Sequence, residues 1–146
     1  MTNLDPYAKG GAFSMLKGKK ETERRMHTRV ARYLRERYPK ARFITTLDGE
    51  FFGKHQAEHV RAMQWGSGAP DMIIFHPNGV YYGLALELKK DTANPFRKDG
   101  ELKAGEHLQE QSEWLDYLQD VGWIAQFAVG YENAIDIIDN YFNMRL

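Results

Sequence analysis

The chain has 146 residues, 42% of them hydrophobic, with 20 Lys+Arg balanced by 20 Asp+Glu and no cysteine. That is enough chain to bury one core unaided, and the missing thiols exclude disulfide frameworks, Cys-type zinc sites and thiol nucleophiles. No apolar run approaches the ~20 residues of a membrane helix, and the first twenty residues lack a signal peptide's apolar stretch, so a cytoplasmic location is expected.

Charge is uneven along the chain. Residues 1–42 hold 12 basic and 4 acidic residues, so the remainder is acidic. A basic leading segment can meet phosphates or simply be solvated. Residues 1–20, rich in Gly and Lys, read as a flexible basic arm, and 21–146 as one domain. Residues 21–37 read as a helix stopping before Pro39, with Met26, Val30, Tyr33, Leu34 and Arg37 inward. Residues 42–47, RFITTL, read as a strand, DGEFFG as a turn, and 54–65 as a short helix ending at Gly66.

DMIIF (71–75) is a compact apolar strand, HPNG (76–79) a hairpin signal, and VYYGLALELKK (80–90) a longer buried strand. A polar loop, 91–104, leads to a helix at 105–121 with Leu108, Leu115, Leu118 and Val121 on one side, ended by Gly122. WIAQFAV (123–129) is another buried strand, and a last helix covers 131–142. An antiparallel hairpin followed by a helical crossover to a parallel strand gives an α/β fold, a mixed sheet between helices. The aromatics, 13% of the chain, read mostly as core packing rather than a partner surface.

Within this frame, Asp71 opens one hairpin strand while Glu87 and Lys89 lie near the end of its partner. Residues two apart on a strand share a face, so the hairpin gathers two carboxylates and an ammonium among Met72, Ile73, Leu84, Leu86 and Leu88. Buried like charges are costly unless neutralised or bound to a cation. Such a pair suits Mg²⁺-assisted phosphodiester hydrolysis, with the lysine orienting water or stabilising phosphorane charge. The bland reading is a structural Glu–Lys pair at a sheet edge; the facing Pro70-Asp71 favours the catalytic one. Gln111 falls inside the leucine stripe of its helix and needs polar partners, which Asp71 and Glu87 could supply. On the first helix, Glu23, His27, Val30 and Leu34 share a face, with Glu21 about half a turn away. Glu23 reads equally as a further metal-site acid or as an exposed first-turn acid.

The run Glu23, Gly68-Ala69-Pro70-Asp71, Glu87-Leu88-Lys89 and Gln111-Ser112-Glu113-Trp114-Leu115 resembles the virus-type replication-repair nuclease (VRR-NUC) family of the PD-(D/E)xK superfamily, over about residues 21–142. The steps are weak singly and specific together. The Gly122-Trp123 strand and Glu132-Asn133-Ala134 helix also look like small phage members. The resemblance implies a restriction-endonuclease-like fold and DNA endonuclease activity with Mg²⁺ or Mn²⁺. It implies Asp71, Glu87 and the Leu88 carbonyl as metal ligands, Lys89 as catalytic lysine, and Gln111 and Glu23 as supporting site residues. Stand-alone members resemble homodimeric nucleases selective for branched or four-way-junction DNA, which for a phage protein would act in the host cytoplasm. His27 departs from the family, standing where similar small members often carry Gln. The loop at 91–106 is long, and its Arg97, Lys98 and Lys103 could contact DNA or be merely solvated.

Two other readings compete. His55-Gln56-Ala57-Glu58-His59 fits the H-x-x-E-H spacing of inverted zinc proteases, though that protease fold is far larger than this chain and an amphipathic surface helix, contacting DNA through Lys54 and Arg61, explains the run better. A non-catalytic DNA-binding module on the nuclease fold is the other, opposed by the intact Asp71, Glu87 and Lys89.

Overall fold

A computed structural model describes residues 22–46 and 53–144; the arm at 1–20, Glu21 and the turn at 48–52 lie outside the described residues. Helix α1 spans Glu23–Arg37. Thr22 caps it, its hydroxyl accepting from the Arg25 N–H at 3.2 Å, which satisfies one of the free donors of the first turn. Met26, Val30 and Leu34 form the buried stripe. Arg37, expected inward, is exposed and lies over the Tyr38 ring at 5.6 Å; in the last turn a cation is favoured by the carbonyl end of the helix.

Four strands follow in the sheet order β1-β2-β3-β4: β1 Phe43–Thr45, β2 Met72–Ile74, β3 Leu84–Lys89 and β4 Ile124–Val129. Pairing is antiparallel from β1 to β2 and from β2 to β3, then parallel from β3 to β4. The remaining helices are α2 (Lys54–Met63), α3 (Glu106–Asp120) and α4 (Tyr131–Asn143). The chain therefore has the expected mixed sheet flanked by helices. Among the described residues no helix is long and apolar enough to cross a membrane.

Alternation along β3 divides the core. Leu84, Leu86 and Leu88 pack with Met72 and Ile74 against Met26, Val30 and Leu34 of α1 and Ala134, Ile138 and Tyr141 of α4. On the other face Ala85 and Ala125 meet Leu115 and Leu118 of α3. Val121, expected in that stripe, caps the helix and is exposed. Glu87 belongs to the α3 face, because strand residues alternate.

The β2–β3 connection is wider than the expected tight hairpin, running from 75 to 83, and β3 starts at Leu84 rather than Val80. The Asn78 side chain organises this stretch. Its oxygen accepts from Val80 N at 3.0 Å and Tyr81 N at 2.8 Å, while its amide donates to the Tyr141 carbonyl at 3.0 Å. An asparagine whose side chain captures nearby amides competes with ladder pairing, so the Asn-Gly pair builds a loop docked on α4 rather than a two-residue turn.

Candidate metal centre

The ladder sets the site. Met72 pairs with Leu86, so Asp71, one residue earlier, stands across from Glu87, one residue later. Asp71 lies just before β2: its backbone carbonyl accepts the Thr46 N–H at 2.9 Å, and its side-chain Oδ2 accepts the Leu88 N–H at 2.7 Å. That bond holds the carboxylate against β3. Gly68 makes the approach possible. Its φ is +90°, and a Cβ there would lie 2.8 Å from the Glu110 backbone, so only glycine lets the strand entry pass this close to α3. Ser67 fastens the same stretch, donating to Glu110 Oε2 at 2.6 Å and accepting at its carbonyl from Trp114 Nε1 at 3.1 Å.

Glu87 is 2% exposed, Gln111 5% and Asp71 7%; they are the buried polar residues of the described core. Gln111, reaching in from α3, donates to Glu87 Oε1 at 2.7 Å and lies 3.1 Å from His107 Nε2. Lys89 Nζ stands 3.8 Å from the same Glu87 oxygen. Burial, and next the Asp71 charge, push the Glu87 carboxyl up to about 10, with Lys89 opposing. The metal-free site thus favours a neutral Glu87, because two clustered carboxylates cannot both be charged cheaply away from water.

From the other side α1 contributes Glu23 and His27, one turn apart. His27 Nε2 lies 3.9 Å from Glu23 Oε1 and 3.7 Å from Asp71 Oδ2. Among the described residues the buried side-chain nitrogens and oxygens without a hydrogen-bond partner are His27 Nε2, Glu87 Oε2 and Gln111 Oε1. Buried polar atoms are nearly always satisfied, and these three all sit at one locus. Two carboxylates, a further acid and lone-pair atoms turned inward fit a divalent cation.

Glu87 is approached by Gln111 and Lys89 and faces Asp71, while the half-exposed Glu23 meets Asp71 through His27; the mutually close ligand atoms are those of Glu23, His27 and Asp71, without Glu87. His27 was not assigned a role from the sequence, although its place one turn after Glu23 on the inward face was readable. His107 was also missed, and its only sequence signal is the four-residue spacing to Gln111. His55, Glu58 and His59 are exposed on α2, and the grouped ligand atoms of the described residues are those of Glu23, His27 and Asp71. Arg97 pairs with Asp99 at 3.5 Å, while Lys98 and Lys103 are exposed. A groove lies elsewhere, between Trp65 to Ser67 and Glu110, Glu113, Trp114 and Tyr117 of α3. Its Trp65 is 88% exposed and Tyr117 is exposed too, so not all aromatics are core.

No family model matches the sequence, and no curated protein does. Solved structures do. A structure described as "VRR_NUC domain protein" is 27% identical, with a TM-score of 0.60, over 84% of this chain and 89% of its own. A second, "VRR_NUC domain", is 23% identical over 80% of this chain and 97% of its own, with a TM-score of 0.44. The first match gives the chain a nuclease-type fold.

Proposed function

With the chain assigned to the VRR-NUC family, an assignment supported by a 27%-identical structure matched over most of both chains, we propose that it is a DNA endonuclease dependent on Mg²⁺ or Mn²⁺. The observation that carries the reading is the gathering of buried, unpartnered polar atoms around Glu87, at the point where Asp71 and Lys89 also meet. In this proposal Asp71, Glu87 and the Leu88 carbonyl hold the cation, with Glu23 as an additional ligand. The bound ion would supply Lewis-acid stabilisation of phosphate charge and acidify water.

The protein's own residues do the rest. The Leu88 N–H fixes the Asp71 carboxylate through Oδ2, the oxygen that also faces His27. Gln111 orients Glu87 through Oε1 and leaves Oε2 turned inward. Lys89, largely buried and held near Glu87, places a positive charge where a phosphate or an attacking water would lie. The apolar ladder of β2 and β3 excludes bulk water from one side of the cluster. The exposed Arg24, the half-buried Arg25 and the Lys98–Lys103 loop supply positive charge for the phosphate backbone. The preferred substrate is branched or four-way-junction DNA, and a two-fold homodimer would present two such sites to paired strands. A cytoplasmic location completes the proposal, in the host if the protein is phage-encoded.

The test is cleavage of linear, flapped and four-way DNA with Mg²⁺ or Mn²⁺ by the native chain, Asp71→Ala and Lys89→Ala. Cleavage by the native chain alone is expected, with either variant reduced by about two orders of magnitude or more. Equal cleavage by all three would remove the reading.

A further inference from the structure

The sequence resemblance supplies oxygen ligands and a lysine; the structure adds a nitrogen. His27 points from α1 into the same cluster, its side chain 26% exposed, with Nε2 itself buried and without a hydrogen-bond partner. Ligand atoms of Glu23, His27 and Asp71 all lie within 4.8 Å of one another. The His27 separations, 3.9 Å to Glu23 and 3.7 Å to Asp71, are too long for hydrogen bonds. Adjacent ligands on one ion with bonds of ~2.1 Å stand about 3.0–3.4 Å apart, a few tenths of an ångström closer than these, a gap that side-chain rotation closes. A second observation points to the same place. Glu87 and Gln111, both more than nine-tenths buried, also turn unpartnered oxygens inward.

We infer that His27 is a cation ligand, and that with Glu23 and Asp71 it forms a position that prefers a first-row transition ion to Mg²⁺. This rests on the nuclease reading and deepens it by naming the ion class. Mg²⁺ is hard, selects oxygen donors and dehydrates reluctantly. An imidazole donor shifts a mixed nitrogen and oxygen set towards Mn²⁺ and the later divalent ions. Asp71 would belong to both this position and the one at Glu87, so α1 and β3 are joined through one carboxylate. A simple ion pair of protonated His27 with its two acidic neighbours is the competing arrangement. It would leave Nε2 carrying a proton and unable to bind an ion.

The two arrangements differ in a signal that does not depend on catalysis. Mn²⁺ is added to the full chain and followed by electron spin-echo envelope modulation, with calorimetric titration of Mn²⁺ and Mg²⁺ alongside. The native chain, His27→Gln and Asp71→Asn are compared, and thermal unfolding confirms that each folds. The expected result is nitrogen modulation on Mn²⁺ in the native chain and its loss in His27→Gln. Mn²⁺ affinity should fall by about tenfold or more in that variant, with Mg²⁺ affinity moving far less. Mn²⁺ bound in an Asp71-dependent way but without nitrogen modulation would overturn the inference and leave the nuclease reading standing. Modulation that survives His27→Gln would overturn it too, placing the nitrogen on another histidine. Missing modulation in the native chain overturns the inference whatever the variant does, so a failure of the variant to fold does not shield it. Absence of any Mn²⁺ or Mg²⁺ binding would remove both readings together.

Discussion

Glu87→Gln in the metal-free protein isolates the physical tension at the centre. The native carboxyl is 2% exposed and its pKa is raised from 4.5 to about 10, by burial first and by Asp71 second. A raised folded-state value means that the folded chain keeps a proton the unfolded chain has already lost. The contribution of Glu87 to stability is therefore full below about pH 4.5 and declines as pH rises towards 10. The slope is at most ~1.4 kcal/mol per pH unit for one proton. Glutamine keeps the shape and the neutral state but has nothing to titrate. In EDTA, the difference in unfolding free energy between Glu87→Gln and the native chain should widen in favour of the variant from pH 5 to pH 8. Comparing the two chains cancels the titration of other groups. Urea unfolding followed by circular dichroism at four pH values measures it. Adding Mn²⁺ should narrow the gap, because an ion held at 100 times its dissociation constant stabilises the native chain by about 2.7 kcal/mol and the variant much less. A difference that stays flat with pH would show that Glu87 is charged in the metal-free fold, and the account of the site's electrostatics would be wrong.

Three further outcomes follow from the same geometry. Metal binding must displace the Glu87 proton, so affinity should rise with pH by up to about tenfold per unit across neutrality; calorimetry in buffers of different ionisation enthalpy would count the proton released. Gln111→Ala removes the donor to Glu87 Oε1, and should lower metal affinity by about tenfold while Lys89→Ala leaves that affinity nearly unchanged; parallel titrations separate the two roles. Gly68→Ala forces a Cβ to within 2.8 Å of the Glu110 backbone at a φ of +90°, and should cost roughly 1–3 kcal/mol, read as a lowered urea midpoint with unchanged slope.

Much of this was legible in the sequence because the site breaks the pattern around it. Asp71, Glu87 and Gln111 interrupt apolar runs whose period is otherwise clear, and a polar residue in a buried stripe demands partners. The β2–β3 register then brings the first two together without any long-range guess, since a short antiparallel pair has few alternatives. The β2–β3 turn was misread for a local reason. Asn78-Gly79 carries the hairpin signature, but the Asn78 side chain bonds its own loop and reaches Tyr141 of α4, a contact 63 residues away that no local rule contains. His27 was seen on the correct helix face yet given no work, because its value depends on how α1 approaches Asp71. That approach is fixed by packing of Met26, Val30 and Leu34 on β3 and α4, not by the residues next to His27.

The division of the sheet explains how the chain tolerates such a site. The face of β3 that carries Leu84, Leu86 and Leu88 is fully buried against α1 and α4, and it supplies most of the apolar core. The opposite face packs Ala85 and Ala125 against Leu115 and Leu118 of α3, with Trp114, Trp123 and Phe127 only partly buried beside them, a more open layer. The costly groups, Glu87 and Gln111, lie at the end of that more open layer, where losing apolar area is cheapest. Asp71 meanwhile gains a backbone N–H from β3, so the acid that sits at the strand entrance also extends the ladder it interrupts. Strain and unpaired polarity concentrate where one layer ends, and the other layer keeps the fold intact. Substitutions that relieve the site, Glu87→Gln among them, should therefore raise metal-free stability without moving the β3 backbone.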